Sequence, residues 1–295
     1  MITYITNNWL RSLFQLKKSD AFRKLFPLII VACVYTAIVV FIERDWLRLP
    51  ESSPLKQFTI FHTLLGFVIS MLLVFRTNTA YDRWWEGRRQ WGALVNGSRN
   101  LAIKMNALLP DDDRGNRIFF RKIIPLFARA LQKHLRAETT RLALDTEPHP
   151  EIPNFDHTRH LPNQVASTMM TKLNQLYVTK VITGDQLIIV NNEMQNFLDV
   201  CGACERIKNT PIPYSYSSFI KKFIFLYTIT LPIGLSFTLH YLLVPIVGFV
   251  FYILAGLEMI AEEIEEPFGL DANDLPMEKL AENIRINVED LLVVR

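Results

Sequence analysis

The chain has 295 residues, of which 50% are hydrophobic and 21% charged, less charge than a soluble globular chain of similar apolar content usually carries. A net charge of +3, with no long Lys/Arg run and no aromatic-basic interleaving, gives no reason to invoke nucleic acid. Three cysteines are too few for a disulfide framework.

Mean hydropathy is only +0.16, so the distribution of the apolar residues decides the class. Met1–Leu25 reads as a short amphipathic segment (Trp9, Leu10, Leu13, Phe14) that lies against a membrane or a neighbour. No small-residue cleavage site follows the first apolar block, which argues against a signal peptide. Four charge-free blocks then stand out: Phe26–Ile42, Phe58–Phe75, Phe223–Leu239 and Tyr241–Leu257. Each is close to the minimum length for a membrane-crossing helix. Only His240 separates the last two, which predicts a tight helical hairpin. Pro232 and Pro245 are tolerable in membrane helices whose neighbours satisfy the freed carbonyls. The competing reading is a soluble bundle of buried helices.

Flanking charges set the orientation. Arg11, Lys17, Lys18, Arg23 and Lys24 precede the first block, Arg76, Arg83, Arg88, Arg89 and Arg99 follow the second, and Arg206, Lys208, Lys221 and Lys222 precede the third. Basic residues stay on the cytoplasmic side. Both termini and the long middle segment are therefore expected there, in a multi-pass protein of the cell membrane. The implied organisation is an N-terminal amphipathic segment (1–25), transmembrane helices one and two (26–75), a cytoplasmic helical domain (76–218), transmembrane helices three and four (219–257), and a cytoplasmic C-terminal segment (258–295).

Between the second and third blocks, Thr77–Leu109 continues the second helix without a breaker until Pro110. Asp111, Asp112 and Asp113 make a good acidic start for a helix to about Glu138. Asp145–Pro162, rich in Pro and His, reads as an irregular loop. Its His149, His157 and His160 are expected to be solvated, because no helical or strand spacing holds them together. Helices follow near Asn163–Val178 and Gly184–Ile207, and a last one from Pro276. Cys201 and Cys204 have C-x-x-C spacing, but no second pair completes a zinc site, so two buried thiols are expected. No Gly-rich phosphate loop, nucleophile elbow or H-E-x-x-H motif occurs, and nothing argues for an enzyme.

Phe67, Met71 and Phe75 recur every fourth residue and share one helix face. In a monomer this stripe packs against other spans; in a ring of subunits it lines a narrow hydrophobic neck of the kind that gates by dewetting. Spacing alone leaves both open.

A resemblance bears on the choice. Phe75–Gly92 (FRTNTAYDRWWEGRRQWG), Cys204–Pro213 (CERIKNTPIP) and Ala261–Pro276 (AEEIEEPFGLDANDLP) closely resemble stretches of the bestrophin family, in the family's order and spacing relative to the four apolar blocks. The resemblance covers nearly the whole chain. It implies an all-α homopentameric ion channel in the membrane, with Phe67, Met71 and Phe75 at the pore neck. Met71 departs from the usual Phe or Ile there, which puts selectivity and gating in doubt. Asp185 is the nearest positional match to the family's inner constriction. Asp271 and Asp274 match the side-chain ligands of the calcium site in animal members, in a thinned acidic run; an N-terminal helix cap is the plainer role for Asp274. No other cofactor is implied. The conducted ion is expected to be chloride or another small anion. A cation pore is the rival, since Asp82, Glu86 and Asp185 could line the inner vestibule. A non-conducting membrane-anchored interaction module is the alternative outside channels. Charge-free spans without an internal repeat disfavour an ion-coupled transporter.

Overall fold

The computed structural model describes residues 20–50, 53–136, 151–156 and 158–293. The amphipathic segment expected before Leu25 therefore lies almost entirely outside the described residues, as do His149 and His157. Among the described residues the regular elements are all helical. Helix α1 (Asp20–Phe41) ends in a π-helical turn at Ile42–Trp46, and a 3-10 turn at Pro54–Gln57 leads into α2 (Phe58–Leu108). Helices α3 (Arg114–Leu135), α4 (Leu161–Val178) and α5 (Gly184–Asn209) follow. Then come α6 (Tyr214–Leu239), a 3-10 turn at His240–Leu242, α7 (Leu243–Glu265) and α8 (Met277–Leu291).

Three segments are long and apolar enough to cross a membrane: Ala21–Trp46, Pro54–Leu108 and Tyr214–Glu265. Only 17%, 17% and 28% of their most apolar windows are buried within the chain. A helix in a soluble core hides its apolar side chains; these present them outward, which rules against the soluble bundle and marks a membrane protein.

The chain divides into two compact units. Of the described residues, the apolar unit comprises 20–50, 53–82 and Ile212–Glu265. In it α1 packs on α6 and α7, which pack on each other. Leu231 meets Leu243 and Val247 near the turn, while Ile220 and Ile224 meet Leu254 farther from it. That pairing order makes α6 and α7 an antiparallel hairpin. The reversal takes the three residues His240–Leu242 rather than His240 alone, and His240 turns the chain with φ 51°. Pro245 sits in the first turn of α7, where its missing N–H leaves no gap. Pro232 lies inside α6, which continues through it. Gly248 permits close approach of α1 and α7, since a Cβ there would stand 2.6 Å from Cys33 Sγ. At the far end of α1, Glu43 is bonded by Ser236 and Asp45 by Tyr241.

Of the described residues, the second unit comprises 83–136, 151–156, 158–211 and 266–293. Its core unites Trp91, Leu94 and Met105 of α2 with Phe119, Phe120 and Phe127 of α3, Met169 and Leu173 of α4, Phe197 of α5 and Ile284 and Val288 of α8. Phe127 and Phe197 stack at 5.1 Å. Helix α2 stops at Leu108, one residue before the expected Leu109, and buried Arg117 donates to the carbonyls of Leu109 (2.9 Å) and Pro110 (3.0 Å) just beyond it. Asp113 then caps α3, accepting from Asn116 N at 3.1 Å, and α3 ends at Leu135, before the expected Glu138. Helix α5 begins on a capping box between Thr183 and Gln186 and runs to Asn209.

Candidate functional site

Helix α2 has 51 residues. At 1.5 Å per residue that is about 75 Å, more than twice the roughly 30 Å of a bilayer's hydrocarbon core. Its apolar half has two faces. His62, Ile69, Leu73, Arg76 and Ala80 are buried, on one stripe of the helix. Phe67, Met71 and Phe75 lie opposite, 72%, 50% and 53% exposed. The packing role left open by the spacing is therefore not filled by the described residues.

Arg76 anchors the buried stripe. It is fully enclosed, with Nη2 2.7 Å from Glu265 and Nε 3.4 Å from Glu258, both on α7. Glu265 also accepts from Ile212 N at 2.7 Å, joining the segment that enters α6. This ion pair sets the rotation of α2 directly beside Phe75.

In the second unit the other two motif stretches meet the first, which lies on α2. Arg83 donates to the carbonyls of Thr210 (2.5 Å) and Ile207 (2.6 Å), a cation at the C-terminal end of α5. Trp84 Nε1 donates to Asn273 O at 3.0 Å. A Cβ on Gly87 would come within 3.2 Å of both Pro267 and Phe268, so glycine lets the Pro-Phe-Gly segment lie directly on the helix.

Asp185 is exposed in the first turn of α5, with exposed Ile188 and Ile189 one turn further on. Asp271 is exposed; Asp274 is buried, and its Oδ2 accepts from Asp271 N at 2.6 Å. Asp274 thus ties its own loop and is not the cap of α8, whose N-cap is Pro276 without a side-chain bond. Calcium takes about six to eight oxygens. Here one oxygen of Asp274 holds the Asp271 N–H and the Asn273 carbonyl accepts from the Trp84 indole.

The cysteines are buried, as expected: Cys201 and Cys204 are 2% and 0% exposed, and burial pushes each thiol up to about 12. A cluster that the sequence did not reveal lies beside them. His134, on the last turn of α3, and His160, the N-cap of α4, both reach Glu205 on α5. Their Nε2 atoms stand 2.6 and 2.5 Å from Glu205 Oε1. Partial burial holds the His134 pKa below the usual histidine value, against the pull of Glu205. Burial opposes the charge on Glu205, but its bonds from His160 and His134 outweigh this and hold its pKa below the ordinary range. The expectation that His160 would be solvated thus fails; 26 residues separate it from His134, and no local spacing could signal the meeting.

An all-helical membrane protein with an exposed apolar stripe on its longest helix is the class these features define. The chain belongs to the bestrophin family: the model described as "Bacterial/Fungal Bestrophin protein" matches residues 1–290. It is 33% identical over 297 residues to a voltage-dependent anion channel-forming protein of Nostoc sp., covering 98% of this chain and 94% of that one. It is 35% identical over 271 residues to another so named from Synechocystis sp., covering 89% and 85%. Its fold matches a bacterial bestrophin homologue from Klebsiella pneumoniae solved with a mutation, with a TM-score of 0.81 and 24% identity over 91% of this chain and 98% of that one.

Proposed function

We propose that the chain is an anion channel, assembled as a homopentamer around one pore whose neck is lined by Phe67, Met71 and Phe75 of each subunit. The observation that carries this is the exposure of these three side chains opposite the buried stripe of α2. In a chain whose relatives are named voltage-dependent anion channel-forming proteins, such a face finds its natural partner in further copies of itself. Four helices, α1, the apolar half of α2, α6 and α7, cross the membrane, with the basic flanks and both termini cytoplasmic.

A ring of thioethers and phenyl rings offers a permeating ion no fixed charge. Passage is then governed by whether the neck is wetted, and small side-chain movements switch it. The positive edges of Phe67 and Phe75 favour an anion that has shed part of its hydration. Met71, flexible and polarizable, softens the middle of the neck. The case for cations rests on Asp82, Glu86 and Asp185. Of these, half-buried Glu86 is held 2.6 Å from Arg89, which cancels much of its field.

The test is the reversal potential of the purified protein in a planar bilayer under a potassium chloride gradient. A value near the chloride equilibrium potential is expected, and one near the potassium value would replace this reading with a cation channel. A monomer or dimer by mass in detergent, with no current from folded protein, would point to an interaction module instead.

A further inference from the structure

We propose that His134, His160 and Glu205 form a zinc-class divalent-metal site that clamps α3, α4 and α5 of the second unit together. Two imidazole nitrogens and a carboxylate oxygen, one from each helix, converge to within 4.8 Å of one another, with the two rings 4.3 Å apart. Two nitrogens and one oxygen are the donor set of a three-ligand zinc site, in which water takes the fourth position. The side chains are 31%, 31% and 29% exposed, so an ion can reach them and a water can complete the shell.

The electrostatics select among metals. One carboxylate is present, and Lys208 lies close by, donating to the His134 carbonyl at 3.3 Å. The local charge is near zero, so the site offers little to calcium or magnesium, which bind chiefly through oxygen and charge. Zinc, bound by imidazole nitrogen, needs no such field. Cys201, one turn before Glu205, is closed off by burial and does not supply the fourth ligand.

His160 also carries the mechanism of loading. Its Nδ1 accepts from Asn163 N at 3.2 Å, which leaves the proton of the neutral ring on Nε2, facing Glu205. Metal binding at Nε2 moves that proton to Nδ1 and gives up the Asn163 contact. The site therefore exchanges one long cap bond and two hydrogen bonds to Glu205 for three metal bonds. It holds the ends of a chain segment, 134 to 160, that those hydrogen bonds otherwise join.

Equilibrium dialysis of the full-length protein in detergent against zinc, read by elemental analysis, tests this. One zinc per chain is expected. Glu205→Gln and His134→Gln should each weaken binding by about 100-fold, while Cys201→Ser should leave it unchanged. His160→Asn keeps a good N-cap acceptor for α4 and should also lose the metal, so a folded variant exists even where Glu205→Gln fails to fold. Cobalt in place of zinc should give a visible spectrum without a thiolate charge-transfer band. No zinc retained at micromolar concentration, binding indifferent to His160→Asn, or a thiolate band would each overturn the proposal.

Discussion

Replacing Arg76 with methionine removes a charge that two acids face in a closed space. Arg76 is 0% exposed and its partners Glu258 and Glu265 are 4% and 14% exposed. Breaking a buried ion pair by deleting one partner costs about 3–5 kcal/mol, because the other charge is left uncompensated. Two features push the value toward the lower end. Glu265 keeps its bond from Ile212 N at 2.7 Å, and Glu258 is already the longer contact at 3.4 Å. A loss of about 3 kcal/mol in a unit of this size corresponds to a melting shift of roughly 6–12 °C. Thermal unfolding of the detergent-solubilised protein, followed by size exclusion and tryptophan fluorescence, would read it. Arg76→Met combined with Glu258→Gln should recover part of the loss, since one of the two facing carboxylates goes with it while Glu265 keeps its bond from Ile212 N. Arg76→Lys should fall between, because a point charge on a narrower head cannot span both carboxylates as a guanidinium does. A melting point for Arg76→Met within about 2 °C of the parent, with no recovery in the double variant, would refute a buried charge balance at this helix.

Three further outcomes are expected. Met71→Phe should move the reversal potential closer to the chloride value by adding a third phenyl ring to the exposed stripe, whereas an unchanged potential would count against Met71 in the neck. Gly87→Ala should cost about 1–3 kcal/mol, because its Cβ meets Pro267 and Phe268 at 3.2 Å and Phe268 is 1% exposed; a melting point equal to the parent's would show that this segment can give way. On α8, bonds from Arg285 hold the Glu282 carboxyl below its ordinary value of 4.5. A depressed carboxylate stabilises above its unfolded pKa and loses that contribution as pH falls through the folded value. Arg285→Ala should therefore lower the melting point slightly at neutral pH, by the few tenths of a kcal/mol of exposed helix pairs, and the difference should shrink as pH falls through the depressed Glu282 value. A difference that persists in acid would sink that account.

Much of the molecule was written in local patterns. The apolar blocks and their basic flanks are properties of contiguous residues, because a membrane acts on each segment directly and needs no distant partner to do so. The same holds for the uninterrupted run through α2 and for Asp113 as a helix start, where a side chain meets backbone three residues away. The spacing of Phe67, Met71 and Phe75 placed them on one face, yet could not say whether that face was covered. Only the packing of Ile69 and Leu73 against α6 and α7 turned it outward. Tertiary structure alone also decided three long-range matters. It brought Arg76 to acids about 180 residues away, took Asp274 into its own loop rather than onto α8, and gathered His134, His160 and Glu205 from three helices. Each depends on which helix faces which. That is settled by shape and burial summed over many side chains, and no short stretch of sequence carries it.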